Sequence, residues 1–376
     1  MESLKVRCFM RIDNAIVWRE GAFQQGAVSM ADGLFCEDSD GESLDAEGLF
    51  VLPGLIDVHV HGYGGGDFSA GEAGALDTMA RGLVREGVTA FCAATMSLEP
   101  EALERACRAA AGFAGGGASL LGINLEGPFL SPARAGAHER RHLRGPEAAL
   151  FERLQRAADG DIRLMTVAPE LPGAEWLVAH AASRGVTVSL GHTACDYETA
   201  RAAFEAGARS VTHLYNGMMP MTARESGLMG AAADSDCFAE LICDGVHVHP
   251  SSVRAAFKLF GKARLVLVSD GLSPTSLGDG TFTSGGQSIT VAGRRAALAD
   301  GTLAGSVTTL MGCLRECVSM GIPLEDTIGC ATVNPARLLG LERKRGAIIP
   351  GLRADLVLVD GDLNIKQVFI AGRPVA

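Results

Sequence analysis

The chain reads as an α/β protein, a (β/α)8 TIM-type barrel with a small β-sandwich domain built from both chain ends. Three observations predict it. Between Pro53 and about Leu339, eight short apolar runs alternate with segments of helical period rich in Ala, Arg and Glu. Both chain ends carry strand-like runs of a different character from this middle. Residues suited to chemistry gather at the C-terminal ends of the apolar runs, where a (β/α)8 barrel places its active site.

The N-terminal strands fall at residues 8–12, 15–18 and 27–30, separated by Asn14, by Gly21 and by the Ala31-Asp32-Gly33 turn. Two closing strands, 354–360 and 367–372, flank the turn Asp360-Gly361-Asp362. The small domain is therefore expected from residues 1–52 and 343–376, with the barrel spanning 53–342. Barrel strands are expected at 55–60, 88–93, 119–125, 162–167, 186–190, 210–212, 239–243 and 265–269. Helical segments at 75–86, 100–114, 174–184, 197–206 and 250–260 lie between them. Residues 280–302 interrupt the alternation as a β-hairpin-like insert. No G-x-G-x-x-G opens a helix after the first strand, which weighs against a dinucleotide-binding sheet.

Composition narrows the partners. With 376 residues, 47% hydrophobic and 20% charged, the chain can bury a sizeable core. A net charge of −11 argues against nucleic acid or an anionic membrane as the main partner. A small anionic substrate stays open, because a pocket can be locally positive. The 10 cysteines are scattered without a C-x-x-C pair and are expected as small core residues of a reduced, cytoplasmic protein. No run approaches the ~18 apolar residues of a membrane span.

The strand ends carry the chemistry. The first run ends in His59 and His61, which share a face because strand residues two apart point the same way. Two imidazoles opening onto Gly62, Gly64, Gly65 and Gly66 make half of a metal site; the plain alternative is a buried strand with two satisfied histidines. The third strand ends in Glu126, the fifth in His192, the sixth in His213 and the eighth in Asp270. Asp244 ends the seventh, with His247 just beyond. Four of the 9 histidines thus fall at strand ends, more than scatter would place there. A catalytic metal site needs about three His or carboxylate ligands and an open position. The metal lowers the pKa of its water from ~15.7 to ~7. A carboxylate must then accept a proton and return it to the leaving group. Asp270 suits that task, although a lone Asp there would read as a turn or helix cap. Lysine occurs only at 5, 258, 262, 344 and 366, so no carbamylated lysine can bridge metals at a strand end, and Glu126 is the available carboxylate.

The segments Pro53–Gly62, Leu125-Glu126-Gly127-Pro128-Phe129, Gly136-Ala137-His138, Leu190-Gly191-His192-Thr193, Thr212-His213-Leu214-Tyr215-Asn216-Gly217-Met218, Asp244-Gly245-Val246-His247 and Leu303-Ala304-Gly305-Ser306 together resemble the N-acetylglucosamine-6-phosphate deacetylase family of the amidohydrolase superfamily. The resemblance runs from about residue 50 to 360. It implies a metal-dependent hydrolase that converts N-acetylglucosamine 6-phosphate to glucosamine 6-phosphate and acetate by metal-bound hydroxide. It also implies Glu126, His192 and His213 as ligands of the main metal, and His59 and His61 as the pair that holds a second ion in some members. Asp270 would be general base and then acid, and His138 would polarise the acetyl carbonyl. Ala137, Leu303, Ala304 and Gly305 would line the sugar pocket, with Asn216, Gly217, Arg224, Asp244 and His247 on its phosphate side. The implied cofactor is zinc, with iron as the alternative, in one or two ions per subunit. A homodimer follows from the family, in which Arg224 reaches across the interface. The chain departs from the pattern at Gly217 and Gly271, where family members commonly carry Ala. Rival readings are the galactosamine epimer, another N-acyl or cyclic-amide hydrolase, and a sugar-phosphate sensor without turnover.

Overall fold

The computed structural model describes residues 9–38 and 41–376. Eight parallel strands run Leu55–Val60, Val88–Ala94, Ser119–Glu126, Ile162–Val167, Thr187–Leu190, Ser210–Val211, Phe238–Ile242 and Leu265–Val268, hydrogen-bonded in that order. Each is followed by a helix: Ala73–Arg85, Pro100–Ala111, Ala148–Ala157, Ala174–Ser183, Tyr197–Glu205, Gly227–Ala233, Pro250–Phe260 and Leu310–Ser319. Strands two, seven and eight are buried along nearly their whole length, because helices cover the outside and side chains fill the inside. The helix faces that point inward are apolar, as with Leu103, Ala106, Cys107 and Ala110 of Pro100–Ala111. The barrel predicted from the alternation is present, and its strands begin and end within about two residues of expectation.

The seam between the last and first strands is not a regular ladder. It closes through single bonds: Asp270 N–H donates to His59 O at 2.9 Å, and the amides of His61 and Gly62 both donate to Gly271 O at 2.8 and 2.9 Å. Asp57, buried in the first strand, accepts the backbone amides of His59 and Ser269 on one carboxylate oxygen, at 3.2 and 3.3 Å. The closure therefore runs through the residues at the strand ends.

The small domain comes from both termini. Its eight strands form one sheet around the path Arg373–Pro374, Ile365–Ile370, Leu356–Val359, Phe50–Pro53, Phe9–Arg19, Ala22–Ala31 and Leu34–Cys36, with Glu42–Asp45 also on Phe9–Arg19. A hydrophobic cluster including Ile12, Val17, Met30, Val51, Leu356 and Phe369 is its core. Two details differ from the sequence reading. Asn14 does not separate two strands: Phe9–Arg19 is continuous, with a bulge between Ile12 and Ala15 where Asn14 takes φ +53°. Cys8, expected in that first strand, lies outside the described residues. The insert is a three-stranded meander, Gly280–Ser284, Gln287–Ala292 and Arg295–Ala297, rather than a hairpin.

Gly62 tests how tightly this end of the barrel is packed. A Cβ there would stand 2.4 Å from Gly66 O and 2.6 Å from Ser273 N, backbone atoms that cannot swing aside. Gly62→Ala is expected to lose about 1–3 kcal/mol of stability in urea unfolding; an unchanged midpoint would show that the chain after His61 is looser than its contacts imply.

Candidate metal centre and pocket

A cavity of about 290 Å³ opens at the C-terminal end of the barrel. Its walls include His61, Glu126, Ala137, His138, His192, His213, Asn216, Gly217, His247, Asp270 and the turn Leu303-Ala304-Gly305. Residues far apart in sequence are thus brought together as the strand-end argument expects. His59 lies just beneath, fully buried. Asp244 stands behind the wall and reaches the cavity only through His247. Arg224 is not brought in: it is exposed on the chain before Gly227–Ala233 and does not line the cavity.

Backbone geometry aims several of these side chains. His192, His213 and Asp270 have φ of +46°, +29° and +50°, a left-handed conformation that costs non-glycine residues about 1–3 kcal/mol each and needs surrounding structure to hold it. At each of these positions the strand breaks off and the side chain turns over the barrel mouth. Gly217 also has positive φ, and a Cβ there would sit 3.0 Å from His192 Nδ1. A side chain at this departure from the family pattern would therefore press on that ring.

Glu126 joins the centre. Its Oε1 is 2.9 Å from His213 Nε2 and 3.3 Å from His192 Nε2. Its Oε2 is 3.2 Å from His61 Nε2, 3.4 Å from His59 Nε2 and 3.4 Å from His138 Nε2. Asp270 Oδ1 lies 3.1 Å from His61 Nε2 and 3.7 Å from His59 Nε2. Two groups, Glu126-His192-His213 and His59-His61-Asp270, each gather their ligand atoms within 4.8 Å of one another.

The donor chemistry fits divalent cations. His61 Nδ1 bonds Ala94 O at 3.2 Å and His192 Nδ1 bonds Arg134 O at 2.8 Å. A carbonyl only accepts, so both rings carry their proton on Nδ1 and turn the Nε2 lone pair inward. His59 Nδ1 does the same toward Glu240 Oε2 at 2.9 Å, and its Nε2 is buried without a hydrogen-bond partner. His138 differs. Its Nδ1 accepts the Ser97 amide at 3.0 Å, so the neutral ring keeps its proton on Nε2 and presents a donor to the cavity.

The electrostatics agree. Burial alone would lift the Glu126 carboxyl, but His59 and its close contacts with the His138, His192 and His213 rings hold it well below the ordinary carboxylate range. Asp270, also opposed by burial, is brought down to about 2 by His61 and His59. Burial opposes charge on His61, yet Asp270 and Glu126 raise it to about 9. His138 goes the other way: burial pushes it to about 4, and Glu126 offsets this only in part. The field that draws protons onto His61 is negative, and it favours a divalent cation at the same lone pairs.

Sequence reasoning missed two acids. Glu240 is fully buried and holds His59; Asp57 is fully buried, held up at about 6 mainly by desolvation, and ties the first strand to the last. A signal existed for each: Asp57-x-His59-x-His61 keeps the period of one strand face, and Glu240 is the lone acid in an apolar strand. The three remaining histidines lie outside the centre, with His142 on Glu99, His180 on Glu152 and His249 capping Pro250–Phe260.

Comparison with known proteins shows which family the chain is similar to. The model of the amidohydrolase family matches residues 50–375. An N-acetylglucosamine-6-phosphate deacetylase of Bacillus subtilis (strain 168) is 37% identical, over 96% of this chain and 95% of that one. An N-acetylgalactosamine-6-phosphate deacetylase of Escherichia coli O157:H7 is 33% identical, over 95% and 97%. The solved N-acetyl-D-glucosamine-6-phosphate deacetylase of Mycobacterium smegmatis superposes with a TM-score of 0.90 at 33% identity, covering 98% of this chain and 100% of that one.

The pocket wall makes its own prediction. Asp244 Oδ2 bonds His247 Nδ1 at 2.7 Å, and His247 Nε2 reaches Ala304 O at 2.9 Å. Burial lowers the His247 pKa, but Asp244, with smaller help from Asp270 and Ala304 O, turns the net shift upward. In Asp244→Asn the main raising partner is lost while burial remains, so the His247 pKa should fall in an NMR titration; an unchanged value would show that Asp244 does not hold the ring.

Proposed function

The chain belongs to the amidohydrolase family and to its N-acetylglucosamine-6-phosphate deacetylase branch, and we propose that it hydrolyses the acetamide of N-acetylglucosamine 6-phosphate to glucosamine 6-phosphate and acetate. The observation that carries the reading is Glu126 dividing its two oxygens between two histidine groups, with Asp270 in the same cavity. Glu126, His192 and His213 would hold one cation, and His59, His61 and Asp270 a second. Imidazole nitrogen with carboxylate oxygen suits zinc, with iron as the other outcome. When bound, such an ion acidifies water and polarises a carbonyl.

The residues of the chain supply the rest. Asp270, ionised and beside His61, takes a proton from the attacking water. It then delivers that proton to the amide nitrogen as the C–N bond breaks and acetate leaves. His138 donates from Nε2 toward the acetyl oxygen, where charge develops. Its donor state is set by the Ser97 amide on Nδ1. Ala137 and Leu303-Ala304-Gly305 bound the sugar. Asn216, Gly217 and His247 face the phosphate, with Asp244 behind His247. Arg224, exposed in one chain, completes this side only from a second subunit, which is the support for a homodimer.

We further propose that residues 1–52 and 343–376 form the small domain around a barrel of 53–342, on the evidence that Phe50–Pro53 pairs with Leu356–Val359. No helix among the described residues is long and apolar enough to cross a membrane. The scattered cysteines, nine of them free among the described residues, suit a reducing cytoplasm. A second reading, the galactosamine epimer, is favoured by the E. coli O157:H7 relative.

Acetate release from both epimers, with and without the 6-phosphate, tests the substrate. The gluco phosphate should turn over fastest; equal rates without phosphate would refute the reading. Asp270→Asn should lower kcat by ~10²–10⁴. A loss of less than about tenfold would remove Asp270 from the proton transfer. Chelation should abolish turnover and zinc should restore it.

A further inference from the structure

Glu240 has no place in the chemistry above, yet it is buried inside the barrel against residues that do. It is the sole charged residue of Phe238–Ile242 and is 0% exposed. A buried carboxylate is retained only where partners hold its charge. One oxygen, Oε2, receives the ring Nδ1–H of His59 at 2.9 Å and the backbone N–H of His213 at 3.3 Å; Oε1 has no hydrogen-bond partner. One atom thus touches a member of each histidine group, but in different ways. It grips His59 by the imidazole and His213 by the main chain alone.

We propose that Glu240 is the positioning residue for the second cation: it holds His59 with Nε2 turned into the His59-His61-Asp270 group, and without it the second ion is held more weakly while the first is kept. The inference rests on the two-ion reading given above.

Three arguments support it. A neutral imidazole ligates through the nitrogen that lacks the proton, so an acceptor at Nδ1 is what makes Nε2 of His59 a ligand. His61 and His192 take that acceptor from backbone carbonyls, Ala94 O and Arg134 O, and do not depend on Glu240. Among these outer partners Glu240 is the one carboxylate. A second cation adds positive charge to a space where Glu126 and Asp270 are the ligating carboxylates, and Glu240 sets a further anion directly behind His59. The other group leans on it less, because Glu126 Oε1 and the Arg134 carbonyl fix His213 Nε2 and the His192 ring independently.

The test is zinc stoichiometry and affinity, by elemental analysis and by calorimetric titration of the metal-free protein, in wild type, Glu240→Gln, His59→Asn and the double variant. Wild type should take up two ions. Glu240→Gln should keep the tighter one and bind the weaker ~10–100-fold less well. The double variant should match His59→Asn alone, because a residue that acts through His59 adds nothing once that ring is gone. Should Glu240→Gln fail to fold, Glu240→Asp, one methylene too short to reach Nδ1, should give the same selective loss. Two ions at wild-type affinity in both Glu240 variants, or equal weakening of both ions, would overturn the proposal. A wild type that holds one ion at saturating zinc would overturn the two-ion reading and this inference with it; two ions in wild type with unaltered variants would sink this inference alone.

Discussion

The site depends on one buried carboxylate whose two oxygens do different things. Glu126 Oε1 faces His192 and His213, and Oε2 faces His59, His61 and His138. A buried anion without partners would protonate, and this one is held ionised because imidazoles surround it on both sides. The spacing of the two histidine groups is therefore the spacing of two oxygens on one carbon. Everything else in the centre adjusts to that short distance, including which nitrogen of each ring turns inward.

The same economy governs how the barrel shuts. The last strand meets the first through Asp270 N–H to His59 O, and through the amides of His61 and Gly62 to Gly271 O. Two candidate ligands of one group are thus linked by a main-chain bond that also closes the barrel. Left-handed φ at His192, His213 and Asp270 is tolerable for that reason: the barrel mouth is over-determined by hydrogen bonds, so local strain there does not relax it. A site of this kind cannot loosen without opening the seam, which couples the stability of the barrel end to the geometry of its chemistry.

Much of this was legible in the sequence, because it is written in period and position. Buried parallel strands are short apolar runs, and their ends carried Glu126, His192, His213 and Asp270 in plain view. The helices Ala148–Ala157, Gly227–Ala233 and Leu310–Ser319 were not among the expected segments; the second is short and apolar throughout, so no polar face marks its period. The bulge at Asn14 read as a turn, since both call for the same residue types. The outer partners were hidden for a firmer reason. Ala94 O, Arg134 O and the Ser97 amide are backbone groups, and no residue type announces them. Glu240 and Asp57 were hidden by company, as single acids inside apolar strands.

The pocket also divides its charge along its length. At the barrel end the carboxylates of Glu126 and Asp270 make a negative field, suited to the cations proposed there. Farther out, no lysine or arginine among the described residues lines the cavity, and His247 is its titratable base away from the histidine centre. Asp244 favours the charged form of that ring, but as a buried neighbour it also cancels part of the charge it stabilises. On the proposed reading, a substrate with an amide at one end and a phosphate at the other is aligned by contacts at its two ends, the amide at Asp270 and His138 and the phosphate at Asn216, Gly217 and His247. In one chain Arg224 is exposed and does not line the cavity. On the proposed reading, assembly with a second copy is therefore part of the electrostatics of the site rather than an addition to it.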